Sequence, residues 1–206
     1  MKLIDRTGLK MIWVMTGIAV AAALVLAIAA TVTEPTIKAA GARRLRQNIM
    51  AVLDIAFDED DFDQQLETFN RYVTEETVDD FTYWIGRDES GEIIGYVIRP
   101  QGGGFQGIVD MAIGVEPDLG TLTGMEVVET GETPGLGQRM EEAEFRAQFN
   151  GLQVKWEDPQ HVDFIRFADP TAPNIYRAIT GATFTSTAIR RLLNAELDRL
   201  REILAQ

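Results

Sequence analysis

The hydrophobic pattern changes period twice along the chain. Met11 to Val32 is apolar nearly throughout, with no charge between Lys10 and Glu34. About 22 such residues at about 1.5 Å rise span roughly 33 Å, enough for a bilayer core, so 11–33 is expected to be a transmembrane helix. Beyond it Leu45, Ile49, Val52, Leu53, Ala56 and Phe57 recur at helical spacing, and 34–78 is expected to be a helical connector. From Phe81 the period drops towards two. Phe81–Ile85, Ile93–Ile98, Gly107–Glu116 and Thr121–Val128 are separated by Asp88-Glu89-Ser90-Gly91, a glycine-rich stretch and Pro117-Asp118-Leu119-Gly120, a meander of about four strands.

Met140–Phe149 reads as a short helix, and Gln153–Trp156 and Asp163–Phe167 as short strands. The last element is an amphipathic helix. Ile189, Leu192, Leu193, Leu197, Leu200, Ile203 and Leu204 form one stripe, with Ser186 or Thr187 placed to cap its start. The order predicts an α+β fold: one N-terminal transmembrane helix, then a single domain over 79–206 with helices packed on one side of a mainly antiparallel sheet.

Charge adds an orientation. Residues 1–46 carry seven basic and two acidic groups, and the remainder twelve basic and thirty acidic. Lys2, Arg6 and Lys10 favour a cytoplasmic N-terminus over 1–10, which places everything from about residue 34 outside the cytoplasm. Arg43, Arg44 and Arg46 weaken that asymmetry, and the acidic domain behind them offsets it. Trp13 suits an interfacial anchor. A cleaved signal peptide is the alternative, with Ala27-Ile28-Ala29 as the cleavage site, but the apolar run exceeds the about 7–15 residues of a signal core.

Composition removes several kinds of chemistry. A net charge of -13 over 206 residues argues against nucleic acid as a partner. With no Cys and a single His, His161, the chain lacks material for disulfides, thiolate-bound clusters, cysteine-ligated zinc or an ordinary Ser-His-Asp triad. Any redox chemistry must therefore come from an organic cofactor. The run Asp58-Glu59-Asp60-Asp61-Phe62-Asp63 lacks the ligand alternation and turn glycine of a calcium loop and is expected to be solvated. No metal site and no catalytic acid–base pair are expected.

Three segments carry candidate chemistry. Gly102-Gly103-Gly104-Phe105-Gln106-Gly107 matches the dinucleotide pattern G-x-G-x-x-G. An alternating run follows it rather than a helix, so it is expected to be a turn between strands. Glu132-Thr133-Pro134-Gly135-Leu136-Gly137 lies between a strand and a helix, where glycines permit close backbone approach and polar residues can line a pocket. Thr180-Gly181-Ala182-Thr183-Phe184-Thr185-Ser186-Thr187 enters the final helix with five hydroxyls in eight residues, more than capping requires.

Thr180-Gly181-Ala182-Thr183 closely resembles the S/T-G-A-T flavinylation motif of bacterial membrane flavoproteins, and Glu132 to Gly137 resembles the second signature of the same FMN-binding domain. Their order, their separation of about fifty residues and the anchor match as well. The chain is similar to the G subunits of Rnf electron-transport complexes and to the related C subunits of sodium-pumping NADH:quinone reductases, and length favours the former. The resemblance implies FMN joined to Thr183 by a phosphodiester bond, made outside the cytoplasm by a flavin transferase using FAD. It implies that Glu132, Thr133, Gly135 and Leu136 border the flavin, and that Thr180, Gly181, Ala182 and Thr185 surround the attachment point.

The implied role is that of an electron-carrying subunit of an ion-translocating ferredoxin:NAD oxidoreductase in the inner membrane, single-pass, with its other membrane subunits as partners. The protein would set the position and exposure of the flavin, which does the chemistry. One residue departs from the family pattern: Arg177 stands where an Asp usually precedes the motif's Ser or Thr by three. That departure motivates an alternative, a scaffold of the same fold that has lost flavinylation. A hydrolase has no convincing carboxylate pair to support it.

Overall fold

A computed structural model describes residues 6–205. Residues 1–5 of the expected cytoplasmic segment, Lys2 among them, lie outside the described residues. Helix α1 runs Arg6–Val52, and the chain divides within it into two compact units, one ending at Arg43 and the other beginning at Arg44.

In the first unit α1 is long and apolar enough to cross a membrane, and its apolar side chains are exposed all round. Thr31 and Thr33 donate their hydroxyls to the carbonyls of Ala27 and Ala29, both at 2.8 Å, so these polar groups are satisfied within the helix. Pro35 sits inside the helix, where it removes one backbone donor.

The second unit is an α+β domain around a six-stranded antiparallel sheet. Its strands are β1 (Val73–Val78), β2 (Phe81–Arg87), β3 (Ile93–Ile98), β4 (Gln101–Gly103), β5 (Ile108–Val115) and β6 (Leu122–Thr130). β1, β2 and β3 form a meander. β3 and β4 then lie end to end along one side of β5, β3 pairing Ile98 with Ile113 and β4 pairing Gln101 with Asp110, while β6 takes the other side. The connector expected to be helical to 78 is therefore corrected at its end: after α2 (Phe62–Tyr72) the chain turns extended and β1 pairs with β2. Pairing decides this, because Thr74-Glu75-Glu76-Thr77 has no apolar pattern of its own.

The sheet is covered on both faces, not one. Tyr83, Ile98, Met111, Ile113 and Val127 meet the stripe of α4 (Thr183–Leu204), where Ile189, Leu193, Leu197 and Leu200 are fully buried. On the opposite face Trp84, Val97, Ala112 and Val128 pack with Ile49 and Val52 from the end of α1, with Leu53 just after it, and with Phe69 and Tyr72 of α2. Double coverage explains why β5 is an almost unbroken apolar run. Gly114 permits the approach, since a Cβ there would stand 2.6 Å from the Val52 carbonyl oxygen.

Smaller elements close the end of the sheet near β6. The segment expected to be one helix over 140–149 is three short pieces: a 3₁₀ turn Gly137–Glu141, α3 (Ala143–Arg146) and a second 3₁₀ turn Ala147–Phe149. β7 (Asp163–Ile165) and β8 (Ile175–Arg177) form a separate parallel pair. The strand expected over 153–156 reduces to one bridge between Thr121 and Gln153. The acidic run 58–63 is exposed, and Asp61 caps α2 by accepting from the Asp63 and Gln64 amides.

Candidate cofactor site

Two segments fifty residues apart meet at the N-terminal end of α4. The Glu132 side chain is only 6 % exposed. Its Oε2 accepts the Thr185 hydroxyl at 2.7 Å, and its Oε1 accepts backbone N–H groups of Phe105, Gln106 and Gly107 at 2.6, 3.1 and 3.4 Å. Burial pushes the Glu132 carboxyl up. The hydrogen bond from Thr185 and the three amides outweigh it, so the group lies below the usual carboxylate range and is ionised at neutral pH. One carboxylate thus joins the β4–β5 hairpin, the 132–137 loop and α4.

Gly102 and Gly103 of the glycine-rich stretch end β4 and the rest, 104–107, is the hairpin tip, which does more than turn. Gly104 N–H donates to the Gly107 carbonyl at 2.8 Å, which points the next amides at Glu132. Sequence reasoning missed this role because backbone donors have no side-chain signature. The surplus glycines were the available signal: a Cβ on Gly104 would fall 2.2 Å from Glu132 Oε1, and one on Gly137 would fall 2.3 Å from Oε2.

The remaining loop residues are shaped by backbone. The Thr133 carbonyl accepts from the Leu136 and Gln138 amides, and Gly135 takes a left-handed φ of 74°. Thr133, Gly135 and Leu136 are exposed. Leu136 lies against the second segment, where a Cβ on Gly181 would come 3.3 Å from Leu136 Cδ2, and Gly181 itself has a φ of 80°.

The expected cap of α4 is corrected. The helix begins at Thr183, its N-cap is the buried Ala182 with no side-chain hydrogen bond, and Ser186 and Thr187 lie inside the helix. The Thr187 hydroxyl donates back to the Thr183 carbonyl at 2.9 Å, and Ser186 Oγ accepts the Ile179 amide and donates to the Ala182 carbonyl. Thr180 and Gly181 are exposed, Thr185 is buried, and Thr183 is half-buried with a hydroxyl that makes no hydrogen bond among the described residues.

Two surfaces adjoin Thr183. One is a groove between α4 and the segment 163–168, lined by Thr183, Thr187 and Arg190 together with Asp163, Phe164 and Arg166. The other is aromatic: Phe105 at the hairpin tip and Phe184, both exposed, stack with centroids 5.3 Å apart and planes 16° from parallel. Neither the 163–168 wall nor Phe105 was anticipated, because nothing local marks residues that long-range pairing brings to α4. Arg177 is exposed and pairs with Asp169, and its amide donates to the Gln148 side chain at 2.8 Å.

Residues 104–198 match the FMN-binding domain family, a span that includes the hairpin tip, both motif segments and most of α4. Two solved structures share the fold. NqrC of Shewanella oneidensis has a TM-score of 0.65 at 16% identity, covering 78% of this chain and 98% of that one. The C subunit of the Na(+)-translocating NADH-quinone reductase of Parabacteroides distasonis has a TM-score of 0.61 at 19% identity, covering 75% and 88%. In sequence, the G subunit of the ion-translocating oxidoreductase complex of Methanosarcina acetivorans is 30% identical over 92% of this chain and 92% of its own length. The G subunit of the Na(+)-translocating ferredoxin:NAD(+) oxidoreductase complex of Acetobacterium woodii is 30% identical over 56% of this chain and 53% of its own. The C subunit of the Na(+)-translocating NADH-quinone reductase of Vibrio anguillarum is 36% identical over 50% and 41%. With one G subunit matched along almost its whole length and the FMN-binding model matched across the site, this chain belongs to the FMN-binding G-subunit family of ion-translocating oxidoreductases.

Proposed function

We propose that this protein is a membrane-anchored electron-transfer subunit of an Rnf-type ion-translocating ferredoxin:NAD oxidoreductase, carrying FMN on Thr183 through a phosphodiester bond. The observation that carries the proposal is the tie between Glu132 and Thr185, which holds both family signatures against the turn that presents the Thr183 hydroxyl. A flavin transferase acting on FAD outside the cytoplasm supplies the flavin, and α1 anchors the domain in the inner membrane by a single pass. The other subunits of the complex deliver and remove electrons.

The residues present suit such a group. Thr183 offers an uncommitted hydroxyl beside a groove that holds two arginines, and Arg190 Nε is buried without a protein acceptor among the described residues. FMN, when bound, supplies reversible electron transfer. The protein's own part is placement. Glu132 fixes the hairpin and helix relative to each other, Gly135 and Gly181 keep side-chain bulk away from the attachment point, and the N-terminus of α4 favours an anion there.

Intact mass of the protein from its native membrane, with fragmentation of the Thr183 peptide, tests this. A gain of one FMN less one water on Thr183 is expected. An unmodified peptide favours the second proposal, a scaffold with the same fold, for which Arg177 in place of the family's Asp is the motivation.

A further inference from the structure

Building on the flavin proposal above, we propose that Arg190, seconded by Arg166, holds the cofactor phosphate in the groove between α4 and segment 163–168. Thr183, Thr187 and Arg190 stand at i, i+4 and i+7, so they share one face of α4. A long side chain on a helix runs back towards the N-terminus, which directs the Arg190 guanidinium along the groove towards Thr187 and Thr183.

Arg190 is held in place but not used up. Its Nη1 donates to Asp163 Oδ1 at 2.9 Å, and its guanidinium lies 5.2 Å over the Phe164 ring. Its Nε is buried and has no acceptor among the described residues. A buried donor without a partner is costly, and the residue that carries it lines a groove beside the free Thr183 hydroxyl. The Asp163 bond and the Phe164 ring hold the guanidinium, so less freedom is lost when it takes a further acceptor.

Charge points the same way. Most of the chain beyond residue 46 is strongly acidic, with twelve basic against thirty acidic groups. Arg139, Arg146, Arg177 and Arg199 are paired with Glu142, Glu126, Asp169 and Asp80. Arg166 has no carboxylate partner among the described residues and rests 5.4 Å over Phe167. The groove therefore sets two arginines against one carboxylate, Asp163, so it remains cationic on an acidic domain. A phosphodiester on Thr183 gains its countercharge there.

The test uses the full-length chain carrying its covalent flavin. The phosphorus resonance of the flavin phosphodiester is expected to move on Arg190→Gln and to return towards its wild-type position in Arg190→Lys, which keeps the charge. In the full-length Thr183→Val chain, FMN is expected to bind about tenfold more tightly than riboflavin, and Arg190→Gln to remove that preference while leaving riboflavin binding unchanged. A resonance that ignores Arg190, or an equal loss of both flavins, overturns the inference and leaves flavin attachment standing. A wild-type chain with no flavin on Thr183 overturns both.

Discussion

Glu132 Oε2 and Thr185 Oγ1 lie 2.7 Å apart across 53 residues of chain, and both side chains are buried. This contact joins the two family signatures, and its chemistry is that of a fastener. The same carboxylate gathers three amides of the β4–β5 hairpin, so its loss strands donors in two segments at once, the hairpin and α4. Glu132 therefore acts on the site through the backbone around it.

Thr185→Val keeps the shape and deletes the donor. The expected cost is about 1–3 kcal/mol, read from urea unfolding. Glu132→Gln should cost a similar amount, and the double variant less than the sum, because the two changes remove one shared bond. Additive losses would show that the contact contributes nothing.

Acid stability follows from the direction of the Glu132 shift. Its folded-state pKa is depressed, so it contributes stability that is fully present above the unfolded carboxyl pKa, about 4.3, and is lost as pH falls through the lower folded value. The gap in stability between wild type and Glu132→Gln should be constant near neutrality and narrow below about pH 4. A gap that widens on acidification would contradict the sign.

The Arg99–Asp110 pair is a second strong point. Asp110 is fully buried and accepts Arg99 Nε at 2.9 Å, Arg99 Nη2 at 2.6 Å and the Gln101 amide at 3.1 Å. These bonds clamp the break between β3 and β4. Arg99→Met leaves a buried carboxylate with one neutral donor and should cost about 3–5 kcal/mol in chemical denaturation. A loss below about 1 kcal/mol, the scale of an exposed pair, would refute this.

Hairpin glycines separate by space. A Cβ on Gly107 would stand 2.4 Å from the Gly131 carbonyl oxygen, whereas one on Gly103 meets nothing within 4 Å. Gly107→Ala should lower stability by about 1–3 kcal/mol by pushing the hairpin off Glu132, and Gly103→Ala should change it by less than about 0.5. Thermal melts of the two variants check the order.

Thr183→Val should abolish covalent flavin while changing stability by less than about 0.5 kcal/mol, since the hydroxyl holds nothing in the fold. Mass spectrometry and a thermal melt on one preparation read both. Flavin still attached to the valine variant would exclude this position.

Local pattern determined much of this protein. An uninterrupted apolar run marks a membrane-length helix, a stripe at 3.6 spacing marks α4, short apolar runs bounded by turn residues mark the strands from β2 onward, and two short motifs mark the candidate site, because each signal is local in sequence. Tertiary structure decided what local pattern cannot encode. Thr74 to Thr77 become a strand only because β2 offers an edge, and the second face of the sheet is closed by Ile49, Val52 and Leu53 at a helix end whose partners are distant in sequence. The hairpin amides reach Glu132, and Arg190 meets Asp163 and Phe164, through contacts made 25 or more residues apart. Such contacts form where burial can satisfy every polar group at once, a condition on the whole packed domain and not on any one segment.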